Sequence, residues 1–404
     1  MRLKWTAVLA VCLAGGAQAS GFALIEQNAS GLGNAYAGQA AVAEDASTIY
    51  FNPAGLSLLE GRQVVVAGNL IAPSAKFSGT AAAVVVPAPP AGNGGDAGTL
   101  AFVPNFYYAM DIGAGLKVGV GLNAPFGLVT EYDSNWLGQS QAVKSDLKTY
   151  NLNPTLAWKV SDKLSLGFGL NWQYVKAELT SRHPVTGALL TMSGDDNSLG
   201  WNAGALWNID GNSRLGVSYR SSIDYRLDGD LNGTPVVADL EVPASASLSY
   251  WRRLTPTWEL LTDLSWTQWS DFQNLDVVSK AGGVTLSHVS ENWDDTWRYS
   301  VGFNYRPSRD WTWRFGVAYD QAPVPDASHR TPRIPDADRF WIAVGGQYRL
   351  DPKSAVDFGY AHIFVNEATI THCDPATTCP VGVTLTGQYN NKIDILSVQY
   401  THNF

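Results

Sequence analysis

Apolar and polar residues alternate with a period of two, in one segment after another, from Arg62 onward. The alternation is unbroken in 164–174, 297–306 and 311–320, where aromatic and aliphatic residues alternate with small and polar ones. Successive side chains of a β-strand point to opposite faces, so each segment has one apolar face and one polar face. The pattern therefore predicts an all-β fold.

The connections between these segments alternate between short turns and long loops. Counting the strands between them gives about fourteen, and bacterial outer-membrane barrels have an even number of strands. The predicted strands, roughly 10 to 18 residues long, exceed the roughly 9–11 residues that cross a bilayer, so several should project beyond it. Short turns fall near 112–114, 161–162, 210–211, 307–310 and 350–352, and long polar or Gly/Pro-rich stretches fall at 77–98, 129–143, 183–195, 272–292, 321–336 and 370–384.

A β-sandwich or β-propeller would have shorter strands of about 5–6 residues and would hide its aromatic faces. The last segment favours a barrel, because alternate residues from Leu396 to Phe404 share one apolar face and the final residue is aromatic. Such a terminal strand resembles the signal read by the outer-membrane assembly machinery. We therefore predict an antiparallel transmembrane β-barrel over 62–404, in contact with outer-membrane lipid and lipopolysaccharide.

The composition agrees with a large β-structure that has an apolar outer face. Only 16% of the 404 residues are charged, against roughly 25% in an ordinary soluble domain, while the chain has 15 Trp and 17 Tyr. Lys and Arg number 27 and Asp and Glu number 36, a net charge of −9 that argues against a nucleic-acid partner. Beyond the N-terminus, no stretch approaches the roughly 18 consecutive apolar residues of a membrane-spanning helix.

The first residues predict export. Arg2 and Lys4 precede an apolar stretch at 6–16, and Ala17-Gln18-Ala19 has the small-x-small pattern of a cleavage site. We expect a signal peptide at 1–19 and a mature chain from Ser20, bound for the bacterial outer membrane. In an exported protein, the spacing of Cys373 and Cys379 favours a loop-closing disulfide over free thiols. No metal or cofactor site is predicted.

Residues 20–61 do not alternate and are rich in Gly and Ala. This composition suits short helices and tight turns. An exported segment of this size before a barrel is either a periplasmic tail or a plug in the lumen. Its few charges and many small residues favour a plug, or hatch, over a solvated tail.

The mature sequence resembles the long-chain fatty acid transporters of the FadL type. The resemblance covers essentially the whole mature chain in order, and it is densest around Arg339. The motifs that carry it are Gly21-Phe22, Ser30-Gly31-Leu32-Gly33-Asn34, Glu44-Asp45-Ala46, Asn52-Pro53-Ala54, Val103-Pro104-Asn105, Phe126-Gly127-Leu128, Trp266-Thr267-Gln268-Trp269, Pro323-Val324-Pro325 and Ile334-Pro335-Asp336-Ala337-Asp338-Arg339-Phe340-Trp341.

The resemblance implies passive uptake of hydrophobic molecules by a fourteen-stranded outer-membrane barrel. It implies that a ligand enters from the extracellular loops, binds beside the hatch and leaves through a gap in the wall at a kinked third strand. Phe22 matches the hatch phenylalanine that approaches the ligand pocket. Asn52, Pro53 and Ala54 match the hatch motif that faces the kink, and 123–128 fall where the kink lies.

The residues themselves also predict a weak seam between the second and third strands. Pro125 has no N–H and restricts Ala124, while Gly127 adds backbone freedom. Pro104 of the preceding strand falls about opposite Asn123, so two prolines weaken one depth of the seam.

An unpaired backbone group costs several kcal/mol in lipid, so a gap at this seam has to be covered by protein or filled with water. We expect the Asn52 carboxamide to serve the open groups, with the hatch loop facing Phe126 and shifting when ligand binds. A static bulge with a buried turn behind it is the alternative.

A fatty acid needs a cation for its carboxylate. Two arginines are the candidates for this cation: Arg182, at the upper end of a predicted strand, and Arg339. Arg330 and Arg333 are further candidates. Each is also an ordinary candidate for a salt bridge within the protein. Trp293, Asp294 and Asp295 lie where relatives can place a lysine, so an uncharged aromatic hydrocarbon is an alternative ligand.

Other classes of function have less support. The sequence has no Gly-x-Ser-x-Gly or His-Glu-x-x-His motif, and its six histidines are scattered, so an enzyme is not expected. A general polar porin would share the alternation but needs neither a hatch nor paired prolines in the wall. A structural or adhesive barrel would act through its loops.

Overall fold

The computed structural model of the protein describes residues 20–83, 92–374 and 383–404. Within these residues, the short helices all lie before the first strand except for one turn of 3₁₀ helix. The helices are α1 (Ala29–Leu32), α2 (Gln39–Val42), α3 (Thr48–Phe51) and the 3₁₀ helices η1 (Pro53–Leu58) and η2 (Trp269–Asp271). None of the helices in the described ranges is long or apolar enough to cross a membrane.

The described strand segments belong to one antiparallel sheet. They are β1 (Arg62–Ala83), β2 (Ala101–Gly113), β3 (Leu116–Asn123), β4 (Gly127–Glu131), β5 (Lys144–Lys159), β6 (Leu164–Arg182), β7 (Leu189–Asp210), β8 (Ser213–Arg220), β9 (Ile223–Leu231), β10 (Thr234–Val242), β11 (Ser245–Arg253), β12 (Trp258–Thr267), β13 (Asn274–Ser279), β14 (Thr285–Ser290), β15 (Thr296–Tyr305), β16 (Trp311–Asp320), β17 (Arg339–Asp351), β18 (Ser354–Val365), β19 (Ala368–Asp374) and β20 (Val383–Asn403).

These segments form a closed barrel of fourteen strands, which confirms the predicted fold class. Six strands consist of two segments each, namely β3 with β4, β8 with β9, β10 with β11, β12 with β13, β14 with β15, and β18 with β19. The first and last strands pair along their whole length, from Gln63 opposite Asn403 to Ala83 opposite Val383, and this ladder closes the ring. Closure pairs the first and last described strands with each other, so that neither is a free sheet edge.

The alternation of the sequence becomes the two faces of the wall. On β6, Leu166, Phe168 and Leu170 are about half exposed, while Ser165 and Asn171 on either side of them are buried. Apolar side chains therefore point outward to lipid and polar side chains point into the lumen, as a membrane barrel requires. The exposed outer face is rich in Trp, Tyr and Phe.

Five predicted loops overlap strand segments, three of them over continuous runs of six or more residues. β1 continues to Ala83, β7 begins at Leu189, and β13 and β14 form a hairpin within the predicted loop 272–292. Strand extensions of this kind need no strict alternation where lipid does not cover them, so the period-two pattern did not reveal them.

The N-terminal segment, residues 20–61, lies inside the barrel, and nearly every residue from Gly21 to Leu56 is buried. α1 contacts β17, β18 and β20, α2 contacts β8 and β11, and η1 contacts β5, β6 and β7. Small residues allow these close approaches: a side chain at Gly216 of β8 would overlap the carbonyl group of Ala40. The segment therefore touches the wall on opposite sides.

A buried ion-pair network holds the segment near α2. The Glu44 carboxylate pairs with Arg306 at 2.5 Å and with Arg314 at 2.7 Å, and Arg314 also pairs with Asp357 at 2.6 Å. Burial alone would raise the pKa of Glu44, but the two guanidinium groups lower it to about 2. The carboxylate is thus charged at neutral pH and binds the segment to the wall.

Candidate functional site

The third strand is interrupted where Pro125 predicts a break. β3 ends at Asn123 and β4 begins at Gly127, and β4 pairs with β5. On the opposite side, the ladder between β2 and β3 ends at the pair Phe106 and Leu122. Further along, an isolated bridge joins Gly98, which precedes β2, to Thr130 of β4. The wall therefore has a gap between the second and third strands, bounded below by the ladder and above by the bridge.

Residues 20–27, which we call the arm, lie in this gap. The Leu24 amide donates to the Pro125 carbonyl at 2.7 Å, and the Gly127 amide donates to the Phe22 carbonyl at 2.9 Å. Ala23 and Phe126 form the antiparallel bridge between them. The arm thus takes the place of a missing strand partner.

Side-chain amides satisfy other backbone groups around the arm. Gln27 Nε2 donates to the carbonyls of Leu24 at 2.8 Å and Ala124 at 3.0 Å. Asn69 from β1 and Asn105 from β2 donate to the Glu26 carbonyl, at 2.8 and 3.2 Å. The Phe126 amide donates to Thr149 Oγ1 at 2.9 Å. These side chains replace part of the interrupted ladder, which lowers the cost of a break at membrane depth.

The prediction that Asn52 serves these open groups was wrong. Asn52 is the N-cap of η1 and accepts a bond from the Ala54 amide at 3.0 Å. Its Nδ2 donates to the carbonyls of Ala40 at 2.6 Å and Ala205 at 3.1 Å, so its partners lie in the N-terminal segment and on β7. The capping role fixes the orientation of the carboxamide, and sequence reasoning did not consider it.

Glu26 is the one acidic residue of the arm, and it is buried. Its Oε2 has no hydrogen-bond partner among the described residues. Burial raises the pKa of Glu26 to about 7, although its own backbone amide and the charges of Arg339 and Arg298 act in the opposite direction. The arm therefore contains a carboxyl group that titrates near neutral pH.

Phe22 anchors the arm in a cluster of aromatic rings. Its ring centroid lies 4.7 Å from Trp269, 5.7 Å from Phe272, and 5.9 Å from both Phe126 and Trp293. Phe22 is 1% exposed, and aliphatic residues of β9, β10 and the 321–338 connection complete the cluster. Edge-on contacts between such rings add to the energy of burial. The cluster is an apolar pocket that the arm fills with its own side chain.

Arg339 lies beside the arm but is occupied by a carboxylate. Asp336 accepts bonds from Arg339 Nε at 3.0 Å and from Nη2 at 2.5 Å, and it accepts a third from the Gly21 amide at 2.7 Å. Burial raises the pKa of Asp336, while Arg339 lowers it. Arg339 and Asp336 therefore hold the start of the arm through the Gly21 backbone.

The other predicted cations are held by backbone groups. Arg182 ends β6 and donates to the Gly187 carbonyl at 2.9 Å, and in the described part of the chain no contact joins it to Phe22. Arg330 donates to the backbone carbonyls of Asp336 and Thr369. Arg333 donates to the backbone carbonyls of Lys144 and Thr180. These arginines fasten the extracellular connections.

An internal cavity runs along the arm, between the N-terminal segment and the wall. Its volume is about 150 Å³, and it is open at its mouth. Pro53 of η1 and Pro125 and Phe126 of the interrupted strand are among the residues that line it. Arg298 of β15 and Asp320 of β16 line the opposite wall.

Sequence reasoning missed Arg298. Its place on the polar face of an alternating segment predicts that it points into the lumen, but this alone did not distinguish it from other lumenal arginines. In residues 20–83, 92–374 and 383–404, no group of three or more His, Cys, Asp or Glu side chains could hold a metal ion. Cys379 lies outside the described residues, as do residues 1–19, so the disulfide with Cys373 and the signal peptide stay predictions.

Comparison with known proteins identifies relatives over nearly the whole chain. The family described as outer membrane protein transport protein (OMPP1/FadL/TodX) matches residues 10–404. The long-chain fatty acid transport protein of Escherichia coli K12 is 29% identical over 403 residues, which cover 86% of this chain and 88% of that protein. Outer membrane protein P1 of Haemophilus influenzae is 30% identical over 403 residues, with 87% of each chain covered.

Solved structures share the same barrel. A FadL homologue from Pseudomonas aeruginosa superposes with a TM-score of 0.87 at 27% identity, covering 95% of this chain and all of that one. The toluene transporter TbuX of Ralstonia pickettii superposes with a TM-score of 0.68 at 17% identity, covering 95% of this chain and 99% of that one. The second likeness is one of fold.

Proposed function

The chain belongs to the OMPP1/FadL/TodX family of outer membrane transport proteins, and from this premise we propose that long-chain fatty acids are its main cargo. It is a transporter of hydrophobic compounds in the bacterial outer membrane. The fatty-acid proposal is supported by relatives that carry the name long-chain fatty acid transport protein, at 29% identity over most of both chains.

The arm in the wall gap is the observation on which the proposed route depends. In this route, cargo arrives from the extracellular loops, displaces Phe22 from its aromatic pocket and enters the cavity beside the hatch, residues 20–61. Release of the arm from Pro125 and Gly127 then opens the gap, and cargo leaves sideways between the second and third strands. The ladder between β2 and β3 stays intact below Phe106, so the barrel need not unfold.

The forces at the gap fit such a movement. Two backbone hydrogen bonds join the arm to the third strand, and each contributes about 0.5–1.5 kcal/mol to stability where water replaces the lost partner, as it can in a water-filled gap. The Glu44 carboxylate pairs with Arg306, which follows β15, and with Arg314 of β16. These ion pairs fasten the rest of the hatch to the wall. We therefore propose that the arm moves while the remainder of the hatch stays bound.

An uncharged aromatic hydrocarbon is the second candidate cargo. The aromatic rings around Phe22 favour it, since they would accept a ligand ring as readily as the phenylalanine that they hold now. No cation is needed for such a ligand. The structural likeness to a toluene transporter is compatible with this cargo.

Uptake into proteoliposomes tests the proposal. The purified protein should transfer oleate to an enclosed fatty-acid-binding protein faster than empty liposomes do, and should cause no swelling in sugars. Transfer of toluene without transfer of oleate would favour the second candidate. Rapid swelling in sugars without either transfer would make the protein a general porin and refute the proposal.

A further inference from the structure

Two guanidinium nitrogens of Arg298 have no hydrogen-bond partner in the described part of the chain. The residue is 7% exposed, and its Nη2 donates to the Ala35 carbonyl at 2.7 Å. Its guanidinium carbon lies 5.0 Å from the ring centroid of Trp341. Among the described residues, its Nε and Nη1 are buried without a hydrogen-bond partner. A buried cationic donor without an acceptor is costly, so this arrangement suggests an acceptor from outside the chain.

The neighbouring carboxylates do not occupy these donors. Asp320 lies opposite Arg298 in the ladder between β15 and β16, yet neither Nε nor Nη1 of Arg298 bonds to it in the described structure. The Asp263 carboxylate accepts hydrogen bonds from the hydroxyl groups of three serines. The bond from Ser247 is 2.7 Å long, and those from Ser249 and Ser265 are shorter. Nε and Nη1 of Arg298 therefore have no acceptor among the described residues, in a side chain that lines the cavity.

The lining of the cavity beside Arg298 combines polar and apolar residues, as a site for an amphiphile requires. Arg298 lines its polar wall, whereas Leu24, Phe51 and Phe126 line the side formed by the hatch and the kink. A carboxylate at Arg298 can accept two parallel N–H bonds, the geometry that guanidinium groups favour. The chain of such a ligand would lie along the apolar side, which leads to the gap.

We propose that Arg298 binds the carboxylate of the cargo in this cavity, forming an inner subsite between the Phe22 pocket and the wall gap. This proposal rests on the proposed function and specifies its cargo: anionic amphiphiles are preferred over neutral analogues of the same chain. Asp320 and Asp263 on the same wall limit the affinity, because their negative charge offsets part of the attraction. A carboxylate can thus bind at Arg298 and leave again.

The test compares an acid with its ester on one protein. The full mature chain in lipid nanodiscs is titrated with cis-parinaric acid and with its methyl ester at pH 8, after correction for partition into lipid. The wild type should bind the acid at least about tenfold more tightly, as expected for two charge-assisted bonds. Arg298→Met should remove this preference and leave the ester affinity within about twofold, while Arg298→Lys should keep part of it.

Arg182→Met is the matched control, since it removes an arginine outside the cavity and should leave both affinities unchanged. Equal affinities for acid and ester in the wild type would overturn the inference without any variant. Equal losses for both ligands in Arg298→Met would also overturn it, because they would mean a purely structural role. Saturable binding of neither ligand by the wild type would instead refute the proposed function, and the inference with it.

Discussion

Replacing Phe22 with alanine should release the arm without unfolding the barrel. The ring is 1% exposed and touches four other aromatic rings, with centroid distances from 4.7 to 5.9 Å. Truncating a buried phenylalanine to alanine costs about 3–5 kcal/mol. The barrel ladders do not involve Phe22, so the cost should fall on the docking of the arm.

A loss of this size should raise the population of the released arm by about a hundredfold to several thousandfold. The amides of Leu24 and Gly127 report the change directly, because both donate across the gap in the docked state. Their hydrogen exchange in nanodiscs, followed by mass spectrometry, should accelerate by a similar factor. Phe77→Ala is the matched control, since Phe77 is equally buried in a separate aromatic cluster.

Three results would refute this reasoning. Unchanged exchange at Leu24 and Gly127 in Phe22→Ala would mean that Phe22 does not hold the arm. Equal acceleration in Phe77→Ala would mean that the effect is not local. Faster exchange throughout the ladder between β1 and β20 would mean that the variant destabilises the whole barrel.

Two further predictions concern the titrating groups of the hatch. Burial raises the pKa of Glu26 from 4.5 to about 7, so the docked arm binds the proton more tightly than the released arm and docking should weaken as the pH rises from 4.5 to 7. The measurement is hydrogen exchange of the Leu24 amide as a function of pH, corrected for intrinsic exchange rates. Glu26→Gln should abolish the pH dependence, and a pH dependence as steep as that of the wild type would contradict the prediction. The pKa of Glu44 is lowered to about 2, so its stabilising effect should be present above pH 4.5 and lost as the pH falls toward 2. Glu44→Gln should therefore lower the unfolding free energy by about 3 kcal/mol at pH 7 and by much less near pH 2, measured by denaturation in detergent, and an equal loss at both pH values would disagree with the ion-pair account.

The fold was predictable because the wall of a membrane barrel has an apolar outer face and a polar inner face, which requires apolar and polar residues to alternate along each strand. Residues such as Leu166 and Phe168 must face lipid, and their neighbours must face the lumen, so alternation marks each crossing. Beyond the membrane that constraint ends. The hairpin of β13 and β14 was therefore assigned to a loop, although its residues pair as strands.

The site was predictable where one residue imposes a backbone constraint. Pro125 marks the interruption of the third strand because it lacks an N–H. The partners at the gap could not be found in this way: Asn69 and Asn105 meet the Glu26 carbonyl through the barrel register, which composition does not give. Asn52 was misassigned because its capping role at η1 depends on where that helix begins.

The unused donors of Arg298 show a second limit. Alternation places the side chain in the lumen, but which donors find acceptors depends on Ala35 and on neighbouring strands far away in the sequence. Only the assembled wall shows that Nε and Nη1 of Arg298 lack acceptors among the described residues.

The claim on which the whole account depends is that the arm must leave the wall gap for cargo to pass. Ala23 and Phe126 pair in an antiparallel bridge, and Cα atoms of such pairs lie about 4.5–5.5 Å apart, within the range of a disulfide. The double variant Ala23→Cys with Phe126→Cys should therefore form a bond that holds the arm in place. Ser300→Cys with Ala318→Cys, a pair within one barrel ladder, controls for the disulfide itself.

The decisive measurement is oleate transfer by each double variant, oxidised and then reduced, in proteoliposomes. We predict that the arm cross-link reduces transfer to the level of empty liposomes, that reduction restores it, and that the ladder cross-link has no effect. Transfer at the wild-type rate through a fully cross-linked arm would show that cargo does not use this gap.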